Sequence, residues 1–238
     1  MIRTKEDLKH YLSIDGVPDN RSQSRRIYDY FFRDETYYIR LYLRVLRHFE
    51  YYINNRRANL INKFMYHYYA INWRMLRRKM GLDLYPNTIG PGVQLFHTYG
   101  GKTGLVAHAR VGSHVIIRPG VILGYQGDSM RTSLSAPIVD DYVEFSWNVK
   151  VFGKIHIGRG ALLNTGCVPM TNVPPYAIVI GNPGKVIGFT KTPEEVIEFE
   201  KEVYPPEERL SLELLESNYR KFFLSRISEI KSEIRIRL

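Results

Sequence analysis

A hydrophobic residue recurs at every sixth position through the middle of this 238-residue chain. The recurring positions form two blocks with the same spacing: Leu105, Val111, Ile117 and Leu123, then Val139, Phe145, Val151, Ile157 and Leu163. A period of six fits neither an α-helix, which repeats about every 3.6 residues, nor a long alternating strand. It is typical of a parallel β-helix, in which three short strand-and-turn units complete one triangular coil. We therefore predict such coils, with these side chains stacked inside them.

Two stretches interrupt the period and are expected to form loops. They cover residues 98–104 and residues 125–136, and the second is long and polar. Loops that project from a rigid scaffold commonly carry binding and specificity. Side chains that select a ligand are therefore expected in these two stretches.

Helical patterns precede the repeat. A short helix is expected over residues 4–12, with Thr4 as its N-cap and Asp7 completing a capping box. A longer helix has an apolar face and a basic face, with Ile39, Tyr42, Leu46, Phe49 and Ile53 on the first and Arg40, Arg44 and Arg47 on the second. The next helix has a basic last turn and stops at Gly81. Its inner face is expected to carry Ile61, Phe64, Tyr68, Ile71 and Met75.

Helices are also expected after the repeat. Residues 173–187 close the stack, and Thr192 followed by Pro193 begins a helix. A long helix of mixed charge then runs to about residue 234 and is expected to serve packing or oligomerisation. The chain is thus divided into an α-helical N-terminal domain over residues 1–80, a β-helix domain over residues 81–188 and a C-terminal helical extension over residues 189–238.

Basic charge is concentrated before the repeat. Residues 1–80 contain 17 Lys or Arg and 8 Asp or Glu, a net charge of +9 out of +10 for the whole chain. The same part holds 11 of the 18 tyrosines. This composition fits an anionic partner, such as a glycan or a membrane headgroup layer. It equally fits a basic solvated surface with tyrosines in the core or at a subunit interface. No nucleic-acid motif accompanies the charge.

The cysteine content and the apolar runs bear on location. The single cysteine, Cys167, excludes an intramolecular disulfide and suits a reducing compartment. The chain starts on charged residues with no apolar signal core behind them, and no uncharged apolar run approaches the roughly 20 residues that span a bilayer. The sequence therefore predicts a cytoplasmic protein, with peripheral association at the inner face of the membrane as a second option. No spacing indicates a zinc site.

Several segments carry a resemblance to a known family. They are residues 81–86 (GLDLYP), residues 89–92 (IGPG), His97 and residues 181–187 (GNPGKVI). On these residues the chain resembles the hexapeptide-repeat acyltransferases, most closely their serine acetyltransferase-like branch. Residues 4–12 also look like homologues among polysaccharide-biosynthesis proteins. The resemblance implies a mainly β fold built on a left-handed parallel β-helix with helices before and after it. It also implies a homotrimer with active sites in the grooves between neighbouring β-helices, and the helical segments could pair trimers into a larger assembly.

The same resemblance implies transfer of an acetyl group from acetyl-CoA to a hydroxyl, and no residue spacing indicates that a metal takes part. A hydroxyl is a poor nucleophile until a base removes its proton, and histidine suits that role near neutral pH, contributing roughly 10²–10⁴-fold. His97 is the expected base. In the resembled enzymes an aspartate at the place of Asp83 pairs with the catalytic histidine and stabilises its imidazolium. Gly100 and Gly101 are expected to present backbone N–H groups to the oxyanion.

The acetyl donor is expected to lie along the coils of one subunit. Matching the repeats to the family places Trp147 and Thr165, one 18-residue coil apart, at contact positions and Lys185 near the phosphates of acetyl-CoA. The family favours a small residue where this chain has Trp147. The indole is expected to cover the cofactor or acceptor groove, to shift the pantetheine arm, or to fill the seam of the trimer.

Two departures from the family bear on the acceptor. Serine acetyltransferases carry an aspartate immediately before the catalytic histidine, where it can meet the ammonium group of serine, and this chain has Phe96 there. They also carry a histidine before a proline in a later loop, and this chain has Ala136 before Pro137. An aromatic side chain favours a sugar face. The residues assigned to acceptor binding are Phe96, Tyr99, Tyr125 and Arg131.

The sequence therefore predicts acetyl-CoA-dependent O-acetylation of a bacterial capsular or surface polysaccharide, or of its precursor, with an anionic glycan as acceptor. Serine O-acetylation with a rearranged acceptor site is the first alternative. A non-catalytic β-helix scaffold that serves assembly is the second.

Overall fold

The computed structural model describes residues 1–16, 31–32, 34–127 and 135–237. The helices before the coils are α1 (Lys5–Ile14), α2 (Glu35–Asn54) and α3 (Leu60–Met80). Those after the coils are α4 (Pro193–Val203) and α5 (Leu212–Arg237), with a 3₁₀ turn at Pro206–Glu208 between them. In the described ranges, every helix is too short or too polar to span a bilayer.

Short strands build the middle of the chain and stack in three sheets. The first sheet contains β1 (Leu82–Asp83), β3 (Thr103–Leu105), β6 (Ile122–Gly124) and β9 (Lys150–Phe152). The second contains β4 (Arg110–Val111), β7 (Ile138–Val139) and β10 (His156–Ile157). The third contains β2 (Gln94–Leu95), β5 (Ile116–Ile117), β8 (Glu144–Phe145), β11 (Leu162–Leu163), β12 (Ala177–Ile180) and β13 (Lys185–Phe189). Neighbouring strands pair in parallel except β12 and β13, which form an antiparallel end to the stack.

The predicted six-residue period is confirmed by the strand register. In the third sheet Leu95, Ile117, Phe145 and Leu163 are aligned across neighbouring strands, and all four side chains are buried. The remaining positions of the period are buried in the same way. Each coil returns its apolar residues to the same inner column, and burying such a side chain contributes about 1.5–3 kcal/mol. The coils are therefore held together by a stack of apolar side chains.

Helices contribute more to the fold than the expected mainly β class implies. Among the elements whose bounds the structure describes, the α-helices have 10 to 26 residues, whereas the strands have two to five. The protein is a mixed α and β fold in which the parallel coils lie between helical segments of the chain. One hydrophobic core runs from α2 and α3 into the coils. The domain boundaries near residues 80 and 188 stay a prediction.

The sequence signals for helix ends are confirmed. The hydroxyl of Thr4 accepts a hydrogen bond from the backbone N–H of Asp7 at 3.0 Å, and the carboxylate of Asp7 accepts one from the backbone N–H of Thr4 at 2.9 Å. Gly81 ends α3 with a left-handed φ of +66°. Pro193 begins α4, and Thr192 is its N-cap. These ends depend on a few neighbouring residues, which is why the sequence alone indicates them.

The expected inner face of α3 is wrong. The buried residues of this helix are Ala70, Trp73 and Met80, and Trp73 packs on Phe49 of α2 with the ring centroids 5.4 Å apart. The residues expected to face inward are exposed, namely Ile61, Phe64, Tyr68, Ile71 and Met75. Large apolar residues occur on both sides of α3, so the helical period alone cannot identify the side that packs on α2.

Arg47 belongs to the basic face of α2 in the helical pattern, yet it is fully buried. Its guanidinium lies 2.6 Å from the carboxylate of Asp15 and 2.9 Å from that of Glu50. It also donates hydrogen bonds to the carbonyl oxygens of Ile89 at 3.0 Å and Gly90 at 2.8 Å. Burying a charge is costly unless it is paired and hydrogen-bonded, and all of these partners meet that need. Arg47 therefore joins the end of α1, α2 and the first coil.

Candidate active site

His97 lies at the corner that leads from β2 towards β3. Its backbone is left-handed, with φ of +56°, a conformation in which histidine is enriched among non-glycine residues. The corner turns the side chain outward, so that 44% of it is exposed, whereas Leu95 two positions earlier is buried. The imidazole is therefore open to a ligand and is not part of the hydrophobic interior.

A carboxylate from the helical segment contacts this imidazole. Oε2 of Glu35, the first residue of α2, lies 3.1 Å from Nδ1 of His97. Oε1 of Glu35 accepts hydrogen bonds from the backbone N–H of Thr98 and from its hydroxyl, the latter at 2.8 Å. Partial burial raises the pKa of Glu35, but the hydrogen bonds from His97 and Thr98 outweigh burial and hold that pKa below its usual value. Glu35 is therefore ionised at neutral pH and serves as the acceptor for Nδ1.

The sequence pattern gives no local sign of this pair. Glu35 precedes His97 by 62 residues and sits in the first turn of a helix, where acidic residues are common because they complement the helix dipole. Only the packing of α2 on the coils brings the carboxylate to the corner.

Asp83 does not pair with His97, contrary to the expectation from the resemblance. Its carboxylate forms an ion pair with Arg77 at 3.2 Å. Arg77 is in the last turn of α3, which ends at Gly81 immediately before β1, so its side chain reaches the start of the first coil. In this structure Glu35 occupies the position beside the imidazole that the resemblance assigns to Asp83.

Aromatic rings form a wall beside His97. The indole of Trp147 is stacked on the imidazole, with centroids 5.9 Å apart and planes at 24°. The ring of Tyr99 lies 4.7 Å from the imidazole and 5.7 Å from the indole. Of the three roles expected for Trp147, these contacts favour a cover over the site.

Gly100 and Gly101 follow Tyr99 along the chain and have left-handed φ values of +98° and +136°, and Gly100 lies against the indole of Trp147. Among the described residues, neither of their backbone N–H groups donates a hydrogen bond. Two adjacent free donors beside an exposed imidazole suit a site where negative charge develops on an oxygen. The oxyanion assignment stays a prediction.

Gly100→Ala is expected to lower the free energy of unfolding by about 1–3 kcal/mol, because the backbone is strained for alanine. A Cβ at this position would lie 2.5 Å from Cζ3 of Trp147, so the indole must also move. Urea denaturation measures the change. Gly166→Ala is the matched control, since Gly166 has φ of +71° and no heavy atom within 4 Å of its added Cβ. Equal losses of stability in the two variants would show that the clash with Trp147 adds nothing to the cost of the strained backbone.

A column of side chains runs along the corner that carries His97. Because the buried residues of the third sheet are in register, the residues two positions after them are aligned as well. The column is His97, Pro119, Trp147 and Thr165. The two side chains expected to contact the acetyl donor, Trp147 and Thr165, thus lie on the same corner as His97. A long ligand could follow this edge from coil to coil.

The other residues that the sequence assigns to acceptor binding are distributed around the coils. The guanidinium of Arg118 lies over the ring of Phe96, with its Cζ 5.4 Å from the centroid, and is ion-paired with Glu144. The hydroxyl of Tyr125 is 2.6 Å from Nδ1 of His108. The expected acceptor residue Arg131 and most of its loop lie outside the described residues.

Lys185 lines a cavity between the last coil and α5. The cavity has a volume of about 520 Å³, and Lys221 and Arg226 of α5 also line it. Three basic side chains at one opening suit an anionic group. Across the described residues, no three His, Cys, Asp or Glu side chains converge as ligands for a metal ion.

Comparison with curated proteins relates a little under half of the chain to one group of enzymes. No family model matches the chain. The serine acetyltransferase of Mycobacterium tuberculosis is 38% identical over 109 residues, which cover 45% of this chain and 46% of that protein. Serine acetyltransferase 4 of Arabidopsis thaliana is 36% identical over 110 residues, which cover 46% of this chain and 30% of that protein. The resemblance to serine acetyltransferases is confirmed. The chain spans less than half the length of these two relatives.

Solved structures of serine acetyltransferases share the fold. The soybean apoenzyme has a TM-score of 0.55 at 20% identity, over 76% of this chain and 69% of that chain. The Neisseria gonorrhoeae enzyme in complex with serine has a TM-score of 0.51 at 23% identity, over 77% of this chain and 67% of that chain. At these identities the similarity concerns the fold alone. The shared fold covers about three quarters of this chain in both structures.

The predicted polysaccharide acceptor and its capsule context are wrong. Relatives between 30% and 38% identical are named serine acetyltransferase, which favours the serine alternative. That prediction treats Phe96, in place of an aspartate before His97, as a loss of negative charge from the site. The structure does place a carboxylate beside His97, that of Glu35 in α2.

Proposed function

We propose that this chain is an acetyl-CoA-dependent O-acetyltransferase whose acceptor is L-serine. The observation that carries the proposal is the exposed imidazole of His97 with Glu35 bound to its Nδ1. The serine acetyltransferase names of the relatives support the acceptor. Left-handed winding of the coils and assembly into a homotrimer belong to the same proposal, because the site would then face the groove between two β-helices.

Glu35 determines which nitrogen of His97 acts as the base. When Nδ1–H donates to Glu35, Nε2 carries the lone pair that can remove the serine proton. The hydroxyl oxygen attacks the thioester carbonyl and forms the new C–O bond, while Nε2 takes the proton. Collapse of the tetrahedral intermediate breaks the C–S bond, and the imidazolium returns the proton to the departing sulfur. Glu35 stabilises the imidazolium between these two steps.

We assign to the acceptor side of the site the two charges that serine requires. Serine carries an ammonium group and a carboxylate, so its site needs a nearby anion and a nearby cation. A carboxylate can accept about four hydrogen bonds, and the described residues supply three to Glu35. We assign the remaining acceptor position of Glu35 to the ammonium group. Arg118, beside Phe96, is assigned to the serine carboxylate.

Acetyl-CoA is assigned to the column of side chains along the corner that carries His97. The thioester end of acetyl-CoA is assigned to the space near Trp147, where Gly100 and Gly101 would bind the oxyanion. The pantetheine arm would pass Thr165, and the phosphates would lie near Lys185 and Lys221. The indole of Trp147 excludes water from the reacting centre in this arrangement, which strengthens electrostatic interactions there.

The proposal is tested by measuring release of free CoA with a thiol-detecting dye, offering L-serine, L-homoserine, glycerol and a neutral oligosaccharide in parallel. We expect turnover that is fastest with L-serine. The protein's own thiol, Cys167, should not react with the dye in the folded protein, because the side chain is buried and burial raises its pKa to about 11. No release above background with L-serine, together with release on another acceptor, would refute the serine assignment. No release with any acceptor and no acetyl-CoA binding would favour the scaffold alternative.

Glu35→Gln is expected to lower kcat by about 10²-fold with little change in KM for acetyl-CoA. An amide stabilises the imidazolium poorly and can favour the wrong tautomer, and loss of a buried aspartate in a catalytic triad costs about 10⁴-fold. The smaller figure reflects the partial exposure of Glu35. Steady-state kinetics measure the effect, and Glu35→Asp should restore part of the rate. Asp83→Asn is the matched control, because Asp83 pairs with Arg77. A larger loss of kcat from Asp83→Asn than from Glu35→Gln would show that Asp83, and not Glu35, positions His97.

A further inference from the structure

The outer face of α3 is apolar and exposed. Leu60 is 83% exposed, Ile61 73% and Phe64 71%, and the face continues along the helix at spacings of three and four residues. Its members are Leu60, Ile61, Phe64, Tyr68, Ile71 and Met75. The opposite side of α3 is already packed on α2 through Ala70 and Trp73. A contiguous apolar face of this kind marks an interaction surface, since scattered single residues would not line up.

The charges on α3 indicate the sign of the charge that a partner of this face would carry. The helix contains five basic residues and no Asp or Glu, the basic ones being Lys63, Arg74, Arg77, Arg78 and Lys79. Two of them are engaged within the protein, Arg77 with Asp83 and Lys79 over the ring of Tyr38. The other three are exposed, and their spacing places them beside the apolar face. A surface that is apolar and purely cationic matches a partner that is apolar and anionic.

A basic depression adjoins the start of this face. It has a volume of about 780 Å³ and is lined by Arg56, Arg57 and Lys63 together with Leu60, which also belongs to the apolar face. The guanidinium of Arg56 is held over the ring of Tyr66, with its Cζ 4.7 Å from the centroid. Cations concentrated next to exposed aliphatic side chains suit a phosphate group that is attached to acyl chains.

We propose that the outer face of α3 binds the surface of an anionic phospholipid bilayer. Amphipathic helices that lie in the membrane interface combine large apolar side chains with Lys and Arg, and each cation near an anionic surface strengthens binding several-fold. Face-to-face pairing of this helix with the same helix of a second copy fits less well, because it would bring cations against cations with no acidic residue on either helix. Acetyl transfer requires nothing from this face, so the inference goes beyond the proposed function.

Vesicle co-sedimentation tests the inference with the full chain. Vesicles of phosphatidylcholine and phosphatidylglycerol in equal parts are compared with vesicles of phosphatidylcholine alone, at low and high salt. We expect binding at least about tenfold stronger to the anionic vesicles, weakening as salt screens the charges. The double variant Phe64→Glu with Ile71→Glu should lose at least about tenfold of that binding. The matched control is Phe223→Glu with Leu224→Glu, which adds the same charge at exposed apolar positions of α5 and should bind like the original chain.

Each outcome decides the inference. Equal binding to both kinds of vesicle, or equal losses in the two double variants, would overturn it. A concentration-dependent increase in mass without vesicles, abolished by the α3 variant, would identify the face as a contact between copies and also overturn it. CoA release by the α3 variant in vesicle-free solution should equal that of the original chain, so failure here is distinguishable from failure of the proposed function.

Discussion

Replacing His97 with asparagine is expected to lower kcat for acetyl transfer by about 10²–10⁴-fold, because asparagine cannot remove the proton of the attacking hydroxyl. Asparagine is chosen because it tolerates the left-handed backbone at this corner, where φ is +56°. The fold and the midpoint of urea denaturation should therefore stay nearly unchanged. Initial rates of CoA release at saturating L-serine measure the effect. Binding of acetyl-CoA by titration calorimetry should be retained, since the donor is assigned to other residues.

His108→Asn is the matched control for this variant. His108 is also an exposed histidine near a tyrosine, but its partner is Tyr125 and it lies away from the corner column. Its replacement should leave kcat within about twofold, as expected for a group outside the reacting centre. Full activity in the His97 variant, or an equal loss in both, would show that the base has been assigned to the wrong residue.

Arg47→Met is expected to lower the free energy of unfolding by about 3–5 kcal/mol, because breaking a buried ion pair from one side leaves uncompensated charge. The fully buried guanidinium neutralises two carboxylates, those of Asp15 and Glu50, and satisfies two carbonyl oxygens of the first coil. A folded domain has only about 5–15 kcal/mol of stability, so this loss is large. Urea denaturation followed by circular dichroism measures it.

Two comparisons show whether the effect comes from the buried network. Arg44→Met removes an arginine from the exposed side of the same helix and should change stability by no more than about 0.5 kcal/mol. Adding Asp15→Asn and Glu50→Gln to Arg47→Met removes the stranded charges and should recover part of the loss. Equal effects of Arg47→Met and Arg44→Met would mean that the network contributes nothing measurable.

The coils and the helix ends were predictable because their causes are local. The period of six requires only that each coil return an apolar residue to the same inner column, and Leu105 through Leu163 keep that spacing on both sides of a loop. Capping by Thr4 and termination at Gly81 depend on a few adjacent residues. Such features can be recognised in a single sequence without knowing how its parts pack together.

The packing of the helices on the coils was not predictable in the same way. The two apolar sides of α3 satisfy the helical period equally well, and the contact between Trp73 and Phe49 decides which one is buried. Glu35 reaches His97 from a helix that begins 62 residues earlier. Arg77 reaches Asp83 because α3 stops immediately before β1. Each of these contacts depends on tertiary structure, for which the spacing of residues gives no signal.

The acceptor prediction failed for the same physical reason. That prediction treats Phe96 as a lost carboxylate, although a site needs the charge at a point in space and not at a given position in the sequence. Glu35 places a carboxylate beside His97 from another element, and the relatives carry the name of serine acetyltransferases. A substitution next to a catalytic residue is therefore weak ground for changing the substrate when the surrounding fold is unknown.

The most direct test uses acetyl-CoA labelled with carbon-13 in the acetyl group, L-serine, and mass spectrometry of the amino-acid fraction. We expect labelled O-acetylserine in amounts equal to the free CoA formed, with the product nearly absent when His97→Asn replaces the original chain. Serine that stays unlabelled while the same preparation binds acetyl-CoA, or label that appears at an undiminished rate with the His97 variant, would contradict acetylation of serine with His97 as the base.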